Sequence, residues 1–210
     1  MDALDRGIDL AARGDLDAAI CACNESIESN QRLPLAYRCR GHTYLRKGEW
    51  EKAIADLTQA ICLDSSAANV YASRGHAFLQ IGDYTRSISD CTEAIRINPK
   101  LAGAYMYRGS SYLKMGEWKL AILDFTEAIF IGFDNPYSYC ISHCHFCRGY
   151  VFQQIENFDE AMSDFMEAIR VDPNNAHAFY HRGIAYQRIG ETIKAEEDFV
   201  QAKKLGYKPM

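Results

Sequence analysis

The chain contains no apolar run approaching twenty residues, which excludes a membrane-spanning helix. A basic excess is also lacking. With 23 Lys and Arg against 28 Asp and Glu, the formal net charge is −5. No surplus of cations is there to displace the counterions of a nucleic acid. The first residues, Met-Asp-Ala-Leu-Asp-Arg, lack the basic segment and apolar stretch of a secretory leader. The eight cysteines are therefore expected as reduced thiols in a cytoplasmic protein. A phosphate loop, a nucleophile elbow and a plausible acid–base pair are all missing, so the sequence offers no support for an enzyme. What it has instead is internal repetition.

An Arg-Gly pair recurs as Arg6-Gly7, Arg40-Gly41, Arg74-Gly75, Arg108-Gly109, Arg148-Gly149 and Arg182-Gly183, spaced 34, 34, 34, 40 and 34 residues apart. A period of this size marks a stacked repeat array. Each copy shows two helical patterns. In the second copy Tyr37, Arg40, Gly41 and Tyr44 share one face of a first helix. Gly48 ends that helix, and Trp50, Ala53, Ile54, Leu57, Ala60 and Ile61 form the apolar stripe of a second. Proline closes some copies, at Asn98-Pro99 and Asp172-Pro173.

These residues resemble the tetratricopeptide repeat. The third copy reads Tyr71, Arg74-Gly75, Phe78, Gly82, Tyr84, Ser87, Cys91, Ala94 and Pro99, and the fourth reads Tyr105, Arg108-Gly109, Tyr112, Gly116, Trp118, Ala121, Phe125 and Ala128. The resemblance covers essentially the whole chain. It implies an all-α fold, an α-α superhelix of six tandem helix-turn-helix units forming one array over residues 1–210. The expected unit bounds are 1–33, 34–67, 68–101, 102–135, 136–175 and 176–207. The first is the most degenerate, with Ala3 where the others have an aromatic.

Two regularities are expected to hold the stack. Glycine inside a helix costs roughly 1 kcal/mol relative to alanine, so its repeated use implies close approach. Gly41 is expected against Ala53, Gly109 against Ala121, and Gly149 against Ala161. Sixteen residues after five of the arginines stands an aspartate, giving Arg40 with Asp56, Arg74 with Asp90, Arg108 with Asp124, Arg148 with Asp164, and Arg182 with Asp198. The planar fork of arginine suits a carboxylate held between helices. In the first unit Ala22 breaks the pattern, so pairing within units would leave Arg6 without this partner, and pairing with the next unit would leave Arg40 without it.

The sixth unit carries Glu196 and Lys203 where earlier units have apolar residues such as Ile54 and Ile61. Charges there would not be buried under a following unit, so this unit is expected to cap the array. Phe199 and Leu205 are expected to stay partly exposed, which would allow a weak dimer through this end of an otherwise monomeric protein. The six extra residues fall between units four and five, around Gly132–Tyr139. Asp134 or Asn135 before Pro136 reads as a helix start, predicting nearly two added turns that present Tyr137, Tyr139 and Cys140; the other reading is a looped-out surface turn.

One motif looks chemical. Cys140, Cys144 and Cys147, with His143 among them, have the spacing of the cluster-binding loop of radical S-adenosylmethionine enzymes. That resemblance spans eight residues and needs a loop, whereas the repeat places Cys147 in a helix. A straight helix separates Cys140 from Cys147 by roughly 10.5 Å, too far for one metal with sulfurs at about 2.3 Å. No cofactor is expected. A metal- or thiol-responsive role for Cys140, His143, Cys144 and Cys147 stands as the alternative reading. Cys39, Cys62 and Cys91 are expected as buried thiols acting as small apolar groups.

In the family resembled, first helices line a concave groove that holds a partner's peptide or helix. The corresponding positions here include Arg38, His42, Arg46, His76, Met106, Lys114, Phe146, Tyr150, Tyr180 and Arg188. No acidic residue occurs among them. A protein or peptide partner of acidic or mixed character is therefore expected, drawn by local field rather than net charge, with no nucleic acid or membrane partner. Aromatics such as Phe146, Tyr150 and Tyr180 would anchor it. The carboxylate clamp of chaperone adaptors fits only at Arg38 and His42, because Ser73, Gly103 and Tyr107 depart from its pattern.

Overall fold

The glycines that end the first helices fix the hairpins of this protein. In the computed structural model Gly48 has φ 73° and Gly116 has φ 77°, left-handed values that glycine adopts freely. The structure describes residues 2–29, 34–132 and 138–208. These hold twelve helices and no strand: α1 (Ala3–Arg13), α2 (Leu16–Ser29), α3 (Pro34–Lys47), α4 (Trp50–Leu63), α5 (Ala68–Gln80), α6 (Tyr84–Ile97), α7 (Ala102–Met115), α8 (Trp118–Gly132), α9 (Ser138–Gln154), α10 (Phe158–Val171), α11 (Ala176–Arg188) and α12 (Thr192–Lys204). The all-α class and the six helix pairs follow the sequence pattern. No helix among the described residues is long and apolar enough to cross a membrane.

The chain forms two compact bodies, Met1–Ser111 and Tyr112–Met210, with the border inside α7. In the first body α1 to α6 pack in succession, and α3 also touches α1 and α5. Leu57 and Val70 are buried there with Tyr37 and Tyr44 packed against them. Ala72, Ala94 and Ala104 form the next cluster, flanked by Tyr71 and Ile95. In the second body α8 to α12 pack in succession, with α9 also touching α11, and Phe125, Val151 and Phe165 are fully buried.

The helical glycines do sit at close approaches, and for Gly41 and Gly149 the nearest side chains are larger than the alanines expected. A Cβ on Gly41 would lie 3.0 Å from Leu57 and 3.3 Å from Asp56, and one on Gly149 would lie 2.9 Å from Phe165. Ala53 and Ala161 are not among those nearest atoms. The antiparallel partner helix brings its side chain sixteen residues on into the notch, and the large Leu57 and Phe165 fill it. Gly109 and Ala121 lie in different bodies.

Four of the arginines grip the aspartate sixteen residues later. The Nε and Nη2 groups of Arg74, Arg148 and Arg182 donate to Asp90, Asp164 and Asp198 at 2.7–2.8 Å, as those of Arg40 do to Asp56. The pairing is within each helix hairpin. The remaining Nη1 reaches the preceding hairpin, from Arg74 to Thr58 at 3.0 Å and from Arg148 to Thr126 at 2.9 Å. Arg6 pairs with Glu25, an exposed substitute nineteen residues on. Arg108 and Asp124 belong to different bodies. Arg108 donates to Thr92 and lies over the Tyr105 ring.

Residues 133–137, where the insertion was read as a helix start, lie outside the described residues. Described α9 begins at Ser138 and has 17 residues against 14 in α3 and α7. Cys140 is half-buried rather than presented to solvent. At the C-terminal end Glu196 and Lys203 are exposed, as are Ile193 and Val200, while Phe199 and Leu205 are half-buried. Cys62 departs from expectation. It lies on the outer face of α4 and is exposed, Cys39 is half-buried, and only Cys91 of the three is buried.

Candidate functional site

The first body carries a cleft of about 290 Å³ between α1 and α3. One wall is apolar, made by Ile8, Ala11 and Ala12, and the other carries Arg38, His42 and Arg46 with Leu35, Cys39 and Thr43. Both walls come from first helices because α3 touches α1 directly. The groove positions proposed from the sequence thus converge here for Arg38, His42 and Arg46. The apolar wall was missed, although the same spacing applied to the first repeat selects Ile8, Ala11 and Ala12.

The polar side chains of the cleft are not equivalent. Arg46 donates from Nη1 to the Ala11 carbonyl at the end of α1, so it ties the walls together. Thr43 is sealed inside α3 by its bond to the Cys39 carbonyl at 2.9 Å. His42 Nε2 lies 3.0 Å from Ser73 Oγ on α5, and burial, helped by the charge of Arg38, pushes its pKa down. His42 is therefore neutral near pH 7 and contributes a hydrogen bond, not charge. Arg38 enters no ion pair among the described residues, though it borders a second, smaller pocket of about 100 Å³ with Asp64 on its rim. Its charge is felt by Asp64, whose carboxyl it helps hold below the usual range.

Two further groove positions in this body behave otherwise. His76 is stacked on Tyr107 with ring centroids 4.5 Å apart and meets Trp50 edge-on at 5.8 Å. Burial lowers its pKa, so it too is neutral. Met106 is only 8% exposed. It packs in the interior.

In the second body Phe146, Tyr150 and Tyr180 gather around His181, at centroid distances of 5.5, 5.2 and 5.5 Å. His181 Nδ1 lies 2.8 Å from Gln153 Oε1, and burial lowers its pKa to about 4. The residue the sequence reading missed is Tyr207. It follows α12, stacks on Tyr180 at 4.2 Å and meets His177 at 5.1 Å. Tyr180 is thus already covered by the chain's own tail. Lys114 and Arg188 are exposed at helix ends.

Cys140, His143, Cys144 and Cys147 lie along α9. No group of three His, Cys, Asp or Glu residues among the described ones is arranged for an ion. His143 Nε2 lies 3.4 Å from Cys147 Sγ, one turn along α9. Cys144 and Cys147 are buried. Burial raises both thiols, Cys147 to about 12, so neither is a ready thiolate.

The model of the family described as TPR repeat matches residues 41–82 and again 149–190, and that described as Tetratricopeptide repeat matches 68–101. No curated protein matches the chain. Among solved structures, YrrB, titled a TPR protein with an unusual peptide-binding site, is 25% identical with TM-score 0.66, over 88% of this chain and 92% of that one. A tetratricopeptide repeat protein from Parabacteroides merdae is 18% identical with TM-score 0.75, over 98% and 79%. The anaphase-promoting-complex assembly Cut9-Hcn1 matches at 14% identity and TM-score 0.87, over 99% of this chain and 40% of that one. The latter two likenesses concern the fold alone.

Proposed function

The chain belongs to the tetratricopeptide repeat superfamily, a protein-interaction fold, and we propose that it is a non-enzymatic scaffold whose α1–α3 cleft takes an acidic or mixed peptide of a partner protein. One observation carries this reading. A cleft of about 290 Å³ sets an apolar wall of Ile8, Ala11 and Ala12 opposite the Arg38 guanidinium, which has no ion pair among the described residues. Such a pairing of surfaces suits a peptide that offers an apolar side chain beside a carboxylate. That YrrB is described as having a peptide-binding site supports the same reading. The buried histidines supply shape and hydrogen bonds, so the field comes from the arginines.

The test is binding of fluorescent acidic, neutral and basic peptides that each carry one large apolar residue, read by anisotropy. Acidic peptides should bind best, weaken as salt rises, and lose about tenfold or more in affinity with Arg38→Glu. Equal binding of all three sets, or affinity unchanged by Arg38→Glu, would sink the assignment. Arg38 is half-exposed, so the substitution should leave the helix content intact.

A further inference from the structure

The six repeats act as controls for one another, and α8 is the one that departs. Its outward face carries Leu120, Leu123 and Phe130, which are 41%, 65% and 77% exposed. At the corresponding places the third repeat has Arg86, Ser89 and Arg96, and the fifth has Glu160, Ser163 and Arg170. No other repeat puts a large apolar residue at any of the three. Helical spacing places Lys119, Leu123, Glu127 and Phe130 in one stripe, with Leu120 at its edge. A patch of exposed leucine and phenylalanine confined to one repeat marks a contact surface.

The stripe also carries two charges. Several exposed second-helix cations elsewhere are engaged by a neighbour three residues away, as in Arg86 with Asp83, Arg96 with Glu93, and Arg170 with Glu167. Lys119 and Glu127 enter no ion pair among the described residues, and both are exposed. They stand four residues before and four residues after Leu123.

We propose that α8 is a self-association face, through which two copies of this chain pair by antiparallel α8 helices centred on Leu123. A two-fold axis beside Leu123 brings the two Leu123 side chains together. It then sets Lys119 of each copy opposite Glu127 of the other, two cross-helix ion pairs from one symmetric contact. The same register lays each Phe130 ring over the turn at Gly116 of the second copy, where the absence of a side chain leaves room. A parallel arrangement would oppose lysine to lysine and glutamate to glutamate, so the charge pattern selects the antiparallel one. Leu123 and Phe130 are the anchors and the ion pairs set the register. A single helix pair lies at the small end of interface sizes, so the equilibrium belongs in the range of about 10–100 μM.

Sedimentation equilibrium of the full chain, from low to several hundred micromolar, tests this. The wild type should shift from monomer to dimer with concentration, and Leu123→Asp should remain monomeric with an unchanged circular dichroism spectrum. Lys119→Glu and Glu127→Lys should each weaken the dimer about tenfold, and the double charge swap should restore it to within about threefold. Ile193→Asp, at the exposed end of the sixth repeat, should leave association unchanged. A wild type that stays monomeric throughout, a dimer indifferent to Leu123→Asp, a dimer lost with Ile193→Asp, or a double swap as weak as the single changes would each overturn the proposal.

Discussion

Arg40 holds Asp56 with two parallel hydrogen bonds, its Nε and Nη2 each 2.7 Å from a carboxylate oxygen, while Nη1 donates to Asn24 on α2. One guanidinium thereby joins α3 to its hairpin partner and to the preceding hairpin. Asp56 is buried, so Arg40→Ala would leave a carboxylate uncompensated, at about 3–5 kcal/mol. Arg6→Ala breaks an exposed pair with Glu25 and should cost less than about 1 kcal/mol. Urea unfolding of the two variants gives the comparison. Equal losses would show that the buried fork is no stronger a fastener than a surface pair.

The fifth repeat has a local fault. Glu156 holds φ 60° at the turn where other repeats place Gly48, Gly82 or Gly116. A left-handed non-glycine residue costs roughly 1–2 kcal/mol, and the flexibility glycine gives the unfolded chain recovers only part of that. Glu156→Gly should raise stability by about 0.5–1 kcal/mol, seen as a higher melting temperature. A lower one would mean that the Glu156 side chain contributes more than its backbone strain costs.

Gly183 and Gly103 should respond in opposite directions to alanine. A Cβ on Gly183 would lie 2.6 Å from the Phe199 ring and 3.2 Å from the Ala195 carbonyl, whereas one on Gly103 meets only Tyr107 at 3.8 Å. Gly183→Ala should destabilise by about 1–3 kcal/mol, as overpacking does. Gly103→Ala should gain up to about 1 kcal/mol from helix propensity. Thermal unfolding of both reads the sign directly.

Acid should weaken the second body through His181. Its folded pKa of about 4 lies below the ordinary 6.5 because burial disfavours the imidazolium. Between those values the unfolded state binds the proton and the folded state does not. Stability is therefore intact above about pH 6.5 and falls as pH drops towards 4, by on the order of 1–3 kcal/mol. His181→Phe should flatten this slope in pH-dependent melts, leaving the parts owed to His42, His76 and His143, which burial also lowers. An unaltered slope would remove His181 from the account.

Thiol labelling should separate the eight cysteines by position. Cys21 and Cys62 are exposed and should react first with Ellman's reagent. Cys144 and Cys147 are buried with raised pKa values and should react only on unfolding. Mass spectrometry of partly labelled protein assigns the order. Early labelling of Cys147 would revive the thiol-responsive reading of that cluster.

Much of this was legible in the residues because a repeat states its own rules six times. The Arg-Gly pair recurs in all six copies, and the helix-ending glycine and the aspartate sixteen residues on in five copies each, because the same hairpin geometry recurs along the chain. The exposed charges Glu196 and Lys203 of the sixth repeat were legible for the same reason. The notch at Gly41 was assigned to Ala53 because sequence shows which residues share a face of one helix, not how far two helices slide along each other. That offset is a packing quantity, and it put Leu57 there instead.

The basic character of the groove positions was a sequence property, but their availability was not. Arg38 and Arg46 look alike in the chain. Only packing ties Arg46 to the Ala11 carbonyl and leaves Arg38 without an ion pair among the described residues, just as only packing buries Met106 and folds Tyr207 over Tyr180. Sequence alone determined that this is a stack of helix hairpins, because period and patterning are local and repeated. Tertiary structure decided which polar side chains remain free to meet a partner, because burial and neutralisation depend on elements far apart in the chain.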